Sequence, residues 1–100
     1  MISHVVLMRF IEPADALPAR DLLQGMHGRV AEIASLTVDV DLAVAEQGPD
    51  LPLPQFHLCL ITTHTSREEL RGYQDHPVHL EAAAWLRPRL AGRAVVDSAV

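Results

Sequence analysis

The sequence predicts an α+β domain whose elements follow the ferredoxin-like order β-α-β-β-α-β. Segments typical of strands, either β-branched and apolar or alternating, occupy residues 2–10, 36–45, 56–63 and 93–100. Apolar residues at helical spacing fill residues 15–34, and a second helical region runs from 66 to about 90. A chain of 100 residues is long enough for one core, so we expect a single domain over residues 1–100.

The first half of the chain predicts a central strand, a helix and a strand nearer the edge. Residues 2–10 are apolar on both faces, as in a strand covered on both sides. Gly25 and Gly28 lie within the predicted helix, where each costs about 1 kcal/mol relative to Ala. Residues 36–45 alternate between apolar and polar, which indicates a half-exposed strand.

The second half begins with a proline-rich loop over residues 48–55 and a strand over 56–63 that is apolar on both faces. Ser66 with Glu69 three residues later forms a capping box that begins a helix. His76 precedes Pro77 and is therefore disfavoured in the helical region, so this helix ends near residue 75. Pro77 suits the first turn of a second helix.

The composition excludes several function classes. The formal charge is −5, Lys is absent and no basic stripe is present, which argues against nucleic acid and anionic membranes as partners. No apolar run approaches the roughly 20 residues of a membrane span. The single cysteine, Cys59, cannot form an internal disulfide, and we expect a reducing, cytoplasmic setting.

Short right-handed crossovers place the four strands in the spatial order 4-1-3-2, with strands one and three expected to be parallel neighbours. The helices cover one face of this sheet. The other face is expected to carry Val5, Leu7, Leu58 and Leu60. Because an apolar patch of this kind is usually covered, we expect a two-fold homodimer that stacks sheet on sheet.

This topology brings polar groups to one corner of the sheet. His4 and His57 each lie near the start of a strand, and parallel strands would place both imidazoles at the same end. The helix after strand three would return Tyr73 and His79 to that end, and Asp97 on the last strand could join them. These five groups are the candidate catalytic residues.

An apolar pocket between the sheet and the helices would adjoin this corner. Its expected lining consists of Val6, Met8 and Cys59 from the strands, Leu22, Leu23 and Met26 from the first helix, and Trp85 and Leu90 from the last helical region. The spacing alone leaves an alternative open, in which the histidines, tyrosine and carboxylate form a buried structural network.

Four segments resemble the stress-responsive A/B barrel (Dabb) family: ISHVVLMRF, FHLCLITT, YQDHPVH and VVDSAV. The resemblance implies a dimeric α+β barrel. It extends to olivetolic acid cyclase-type polyketide cyclases, whose functional residues correspond to Tyr73 and His79, with His4 and His57 lining the pocket and Asp97 orienting a histidine. This chain departs from those enzymes because its first helix offers aliphatic rather than aromatic side chains.

The chemistry that the resemblance implies is proton transfer next to a carbonyl, without a cofactor. His79, oriented by Asp97, would act as a base and Tyr73 would donate to the developing enolate. No metal is expected, because ligand pairs such as HExxH are absent from the sequence. The competing hypothesis is a non-catalytic, dimeric protein that binds a small molecule or is associated with stress.

Overall fold

The computed structural model describes residues 1–46 and 50–100. Its strands are β1 (Ile2–Phe10), β2 (Ser35–Val40), β3 (Leu58–His64) and β4 (Leu90–Ala99), and its helices are α1 (Ala16–Gln24), α2 (Leu42–Glu46), α3 (Arg67–Asp75) and α4 (Pro77–Leu86). Short 3₁₀ turns precede α1 and follow α4.

The four strands form one sheet in the order β2-β3-β1-β4, which confirms the ferredoxin-like α+β class and the predicted strand order. The prediction that β1 and β3 are parallel was wrong, because β3 is antiparallel to both of its neighbours. The connectivity gives the reason. The crossover through α1 makes β2 parallel to β1 but leaves a gap between them. The chain then reverses into β3, which fills the gap and must oppose both strands.

The antiparallel register also changes which residues lie on the open face of the sheet. Val5 pairs with Ile61 and Leu7 with Cys59, so these four side chains share that face. Leu58 and Leu60 were predicted there, but each is only 2% exposed and packs in the core beneath the helices. The prediction for the open face is therefore correct for Val5 and Leu7 of β1. For β3 it is wrong by one position, because Cys59 and Ile61 lie there instead of Leu58 and Leu60.

Helix α1 is shorter than predicted and ends at Gln24. The backbone then makes tight turns, and Gly28 adopts φ 82°, a left-handed conformation that favours glycine. The same stretch still contributes to the core, because Met26 and Val30 are almost fully buried. The apolar spacing that predicted a long helix is therefore also satisfied by a short helix followed by turns.

Strand β2 ends at Val40, five residues before its predicted end. The Asp41 carboxylate accepts a hydrogen bond from the backbone N–H of Ala43 (2.9 Å). The backbone carbonyl oxygen of Asp41 accepts one from the backbone N–H of Val44 (3.0 Å). These bonds begin α2, because an aspartate at this position satisfies free N–H groups of a first helical turn. The predicted loop at 48–55 lies partly outside the described residues; residues 50–55 form no helix or strand.

The region from Ser66 to Leu86 agrees closely with the sequence prediction. The Ser66 hydroxyl accepts a hydrogen bond from the backbone N–H of Glu69 (3.1 Å) and caps α3. His76 is extended, with φ −66° and ψ 136°, and its Nδ1 accepts a hydrogen bond from the backbone N–H of Val78 (3.1 Å). His76 therefore separates α3 from α4 and caps the second helix. No helix in the described part of the chain has the length and apolarity needed to cross a membrane.

Candidate functional site

A cavity of about 410 Å³ lies between the helices and the sheet. Its apolar wall includes Val6, Met8, Leu23, Leu60 and Leu86. His4, Tyr73 and His79 contribute polar groups to the same wall. An apolar space with a few convergent polar groups is the usual form of a small-molecule site.

The three polar side chains lie in contact or near contact. The rings of Tyr73 and His79 are 4.6 Å apart between centroids, and those of His4 and Tyr73 are 6.0 Å apart. Strand β1, the end of α3 and the first turn of α4 supply them. The predicted convergence of these residues is thus present in the structure.

His4 is held from the neighbouring strand. In the β1–β4 pair His4 lies directly opposite Asp97, and its Nδ1 contacts the Asp97 carboxylate. The His4 side chain is buried, whereas that of Asp97 is 42% exposed. Donation of the Nδ1–H to the carboxylate fixes one tautomer and leaves Nε2 of His4 for a molecule in the cavity.

His79 is oriented by a backbone group rather than by Asp97, contrary to the prediction. Its Nδ1–H donates to the carbonyl oxygen of Gln74 (2.9 Å), so Nε2 carries the lone pair of the neutral ring. Burial lowers the pKa of His79; the nearby His4 and Arg93 act in the same direction, while the bond to Gln74 and the charge of Asp75 oppose it. His79 is therefore neutral at pH 7 and can accept a proton.

Tyr73 is 1% exposed, and burial raises its pKa to about 12. Among the described residues, every side-chain nitrogen or oxygen that is fully enclosed has a hydrogen-bond partner. The Tyr73 hydroxyl has no such partner among these residues, so it is not fully enclosed. The hydroxyl therefore retains accessible surface beside the cavity. At neutral pH it is a protonated donor available to a bound molecule.

His57 does not join this cluster. Because β3 is antiparallel to β1, His57 lies at the far end of the sheet, where its backbone N–H donates to the carbonyl oxygen of Met8 (2.8 Å). Its Nδ1 accepts a hydrogen bond from the backbone N–H of Phe10 (2.9 Å). His57 thus secures the end of β1, and the expectation that it shares a corner with His4 was wrong.

His64 occupies the place that was predicted for His57. Its ring centroid is 5.0 Å from that of Tyr73 and 6.4 Å from that of His4, and the residue has no exposed surface. Its Nδ1–H donates to the carbonyl oxygen of Glu32 (2.8 Å), and its Nε2 accepts from the Thr62 hydroxyl (2.8 Å). Both ring nitrogens of His64 are hydrogen-bonded within the protein, so His64 packs against Tyr73 and has no polar atom left for a ligand. An antiparallel alignment of β1 and β3 would have revealed it.

The structure places half of the predicted binding residues on the cavity. Val6, Met8, Leu23 and Leu90 line it, whereas four others do not: Leu22, Met26, Cys59 and Trp85. Met26 is fully packed in the core, and Cys59 lies on the opposite face of the sheet. Leu22 and Trp85 pack against the core from its margin. Within the described ranges, no group of three or more His, Cys, Asp or Glu side chains is arranged to hold a metal ion.

The sequence profile of the stress responsive A/B barrel domain matches residues 2–100. The chain belongs to this family. No curated protein shows significant sequence similarity to this A/B barrel chain.

Solved structures similar to this A/B barrel domain include proteins of known and unknown activity. A dimeric ferredoxin-like protein of unknown function from Thermobifida fusca is 24% identical, with 99% of this chain and 90% of that chain covered and a TM-score of 0.80. The hydroxynitrile lyase from Passiflora edulis is 18% identical, with 99% and 92% covered and a TM-score of 0.72. A Dabb family protein from Mesorhizobium loti is 14% identical, with 99% and 95% covered and a TM-score of 0.68. At these identities the likeness shows the common fold.

Proposed function

We propose that this A/B barrel protein binds a small apolar carbonyl compound and acts on it by cofactor-free acid–base catalysis. The observation that carries the proposal is the placement of Tyr73, His4 and His79 on one apolar cavity, each with one polar atom that has no hydrogen-bond partner among the described residues. A purely structural network would use these atoms to satisfy one another, as His64 does with Thr62 and Glu32.

The cavity chemistry suits proton abstraction from a carbon between two carbonyls. Neutral His79 takes the proton on Nε2, and the Tyr73 hydroxyl donates a hydrogen bond to the enolate oxygen that develops. The enolate carbon then attacks a second carbonyl of the same molecule, and the proton passes to the new alkoxide. His4, next to Tyr73 and held by Asp97, is placed to relay that proton.

This sequence of steps is an aldol-type ring closure, the reaction of a polyketide cyclase. The same groups could also promote the reverse type of step, in which a carbon–carbon bond next to oxygen breaks. The similar fold of a hydroxynitrile lyase is consistent with such lyase chemistry in this cavity. Aldol closure remains the proposed reaction, because the cavity offers separate groups for the enolate oxygen and for the second carbonyl.

We propose that the protein acts as a homodimer in the cytoplasm. Val5, Leu7 and Ile61 leave an apolar stripe along the middle of the uncovered sheet, and stacking two sheets would bury it on both copies. Three of the structures with this fold are described as dimeric proteins that are ferredoxin-like.

Turnover of a 3,5,7-trioxo thioester tests the catalytic proposal. We expect ring closure above the buffer rate, reduced about 10²–10⁴-fold by His79→Gln and by Tyr73→Phe. His27→Gln, in the exposed turn after α1, is the matched control and should leave turnover unchanged. Saturable binding without turnover would instead favour the non-catalytic alternative, and equal turnover by all variants would contradict the assigned roles.

A further inference from the structure

The charged residues around the cavity are distributed unlike those of the whole chain. The protein has 13 acidic and 8 basic residues, all of the latter Arg. Among the described residues that line the cavity, however, the charged side chains are Arg87 and Arg93, and no Asp or Glu contributes. An acidic protein therefore presents a cationic border to its apolar cavity.

The guanidinium groups of these two arginines are available to a ligand. Neither Arg87 nor Arg93 has a hydrogen bond to a side chain or an ion pair within the described part of the chain, and both are exposed. Arg89, between them in sequence, differs: its Nη1 donates to the carbonyl oxygen of Trp85 (2.7 Å), and its guanidinium lies 4.1 Å from the Trp85 ring centroid. Arg89 thus has an internal role, whereas its two neighbours retain all their donors.

The sheet register defines where this charge lies relative to Tyr73 and the imidazoles. Arg93 pairs with Met8, and Asp97 pairs with His4. His4 and Met8 are four residues apart on one strand, which corresponds to about 13 Å. The polar cluster therefore marks one end of the cavity and Arg93 the other, with apolar side chains such as Val6 between them.

We propose that the cavity selects ligands that carry an anionic group, such as a carboxylate, at the end opposite the reacting carbonyl. This inference rests on the proposed function and adds the substrate class. Guanidinium groups bind carboxylates and related anions with two parallel hydrogen bonds. Arg93 and His79 line the same cavity, and the positive charge of Arg93 is one of the smaller causes that lower the pKa of His79.

Two fluorescent probes, 8-anilinonaphthalene-1-sulfonate and N-phenyl-1-naphthylamine, test the proposal because they differ only in the sulfonate. We expect the protein to bind the sulfonate about tenfold more tightly than the neutral probe. Arg93→Gln should reduce this preference, and the double variant with Arg87→Gln should abolish it while the neutral probe still binds. Arg93→Glu should favour the neutral probe.

The matched control is Arg29→Gln, an exposed arginine in the turn after α1, which should retain the full preference. Added salt should weaken binding of the sulfonate selectively. Equal affinities for the two probes, or a preference that survives the double variant, would overturn the anion inference and leave the proposed carbonyl-binding function standing. Failure of the wild-type protein to bind either probe would contradict both.

Discussion

His4 and Asp97 lie opposite each other on neighbouring strands, 93 residues apart in sequence, and the Asp97 carboxylate contacts Nδ1 of His4, which lines the cavity. The carboxylate fixes the Nδ1–H of His4, and the centroid of the His4 ring lies 6.0 Å from that of Tyr73. The last strand thus orients a residue of the first one.

Removal of the Asp97 carboxylate should impair catalysis without unfolding the protein. In Asp97→Asn the amide can still accept from His4, but it no longer stabilises a positive charge on the imidazole. We expect kcat to fall about tenfold or more, with a smaller change in KM and in the thermal midpoint. Asp75→Asn, an exposed residue at the end of α3, is the control. An unchanged kcat would remove Asp97 from the mechanism.

Activity should depend on pH through His79. Because burial lowers its pKa below 6.5, the neutral base persists through neutral pH, and kcat/KM should fall only as the pH drops below that lowered value. Tyr73, with a pKa near 12, should produce no loss up to pH 10. Measurement of kcat/KM with the same substrate from acid to alkaline pH checks both the fall at low pH and the absence of a loss up to pH 10. Activity that requires acid and disappears above pH 7 would show that an imidazolium is the working form.

Stability should depend on pH through His64. Burial lowers its pKa in the folded protein, so between that value and 6.5 the unfolded chain binds more protons than the folded one. The contribution of neutral His64 to the free energy of unfolding is therefore fully present above pH 6.5, and it is lost as the pH falls through the pKa of His64 in the folded protein. Urea midpoints at pH 7.5, 6.5 and 5.5 should decrease in this order, and less steeply in His64→Gln than in His27→Gln. Identical slopes in the two variants would contradict the assignment.

His57 should matter for stability and not for turnover. His57→Leu leaves the buried backbone N–H of Phe10 without its acceptor and should cost about 1–3 kcal/mol in the free energy of unfolding. His57→Asn, whose side-chain oxygen can occupy the position of Nδ1, should recover part of the loss. Both variants should keep the wild-type kcat below the melting transition. A specific loss of kcat in both would return His57 to the active site.

The open face of the sheet should mediate dimerisation. Leu7→Asp places a charge in the middle of the apolar stripe and should convert the dimer to a monomer in light scattering after gel filtration. Leu53→Asp, at a side chain that is 95% exposed in the loop before β3, is the control and should remain dimeric. A dimeric Leu7→Asp protein, or a monomeric wild type, would contradict the predicted interface.

Much of the fold could be predicted from local sequence signals. Ser66, Glu69 and Pro77 define helix ends through backbone hydrogen bonds within a few residues, and the structure reproduces them. The strand order also followed from connectivity rules. The face of β3 that points to the helices was missed because the strand is apolar on both faces, so periodicity could not reveal it. Its direction was missed although connectivity requires it, since a strand between parallel β1 and β2 that follows β2 directly must oppose both.

The candidate site was predicted only in part, because the direction of β3 also decides which side chains meet there. Tyr73, His79 and His4 do lie together, but the prediction placed them so through a parallel β3 and a helix that returns to the start of that strand. In the structure β3 instead ends beside the start of β1, and Tyr73 and His79 lie near that end. His57 and His64 were exchanged because they lie at opposite ends of one strand, and only its direction decides which one meets His4. The link between Asp97 and His4 depends on strand register, which no local pattern in the sequence specifies.

Imidazole nitrogen NMR on protein labelled with ¹⁵N-histidine tests the shared cavity most directly. At pH 7.5 we expect His79 and His64 to be neutral with the proton on Nδ1, and His57 to carry it on Nε2. Addition of N-phenyl-1-naphthylamine should shift the Nε2 signals of His4 and His79 together, while those of His27 and His57 stay in place. A shift at His57, or a bound probe that leaves His4 and His79 unaffected, would contradict the account.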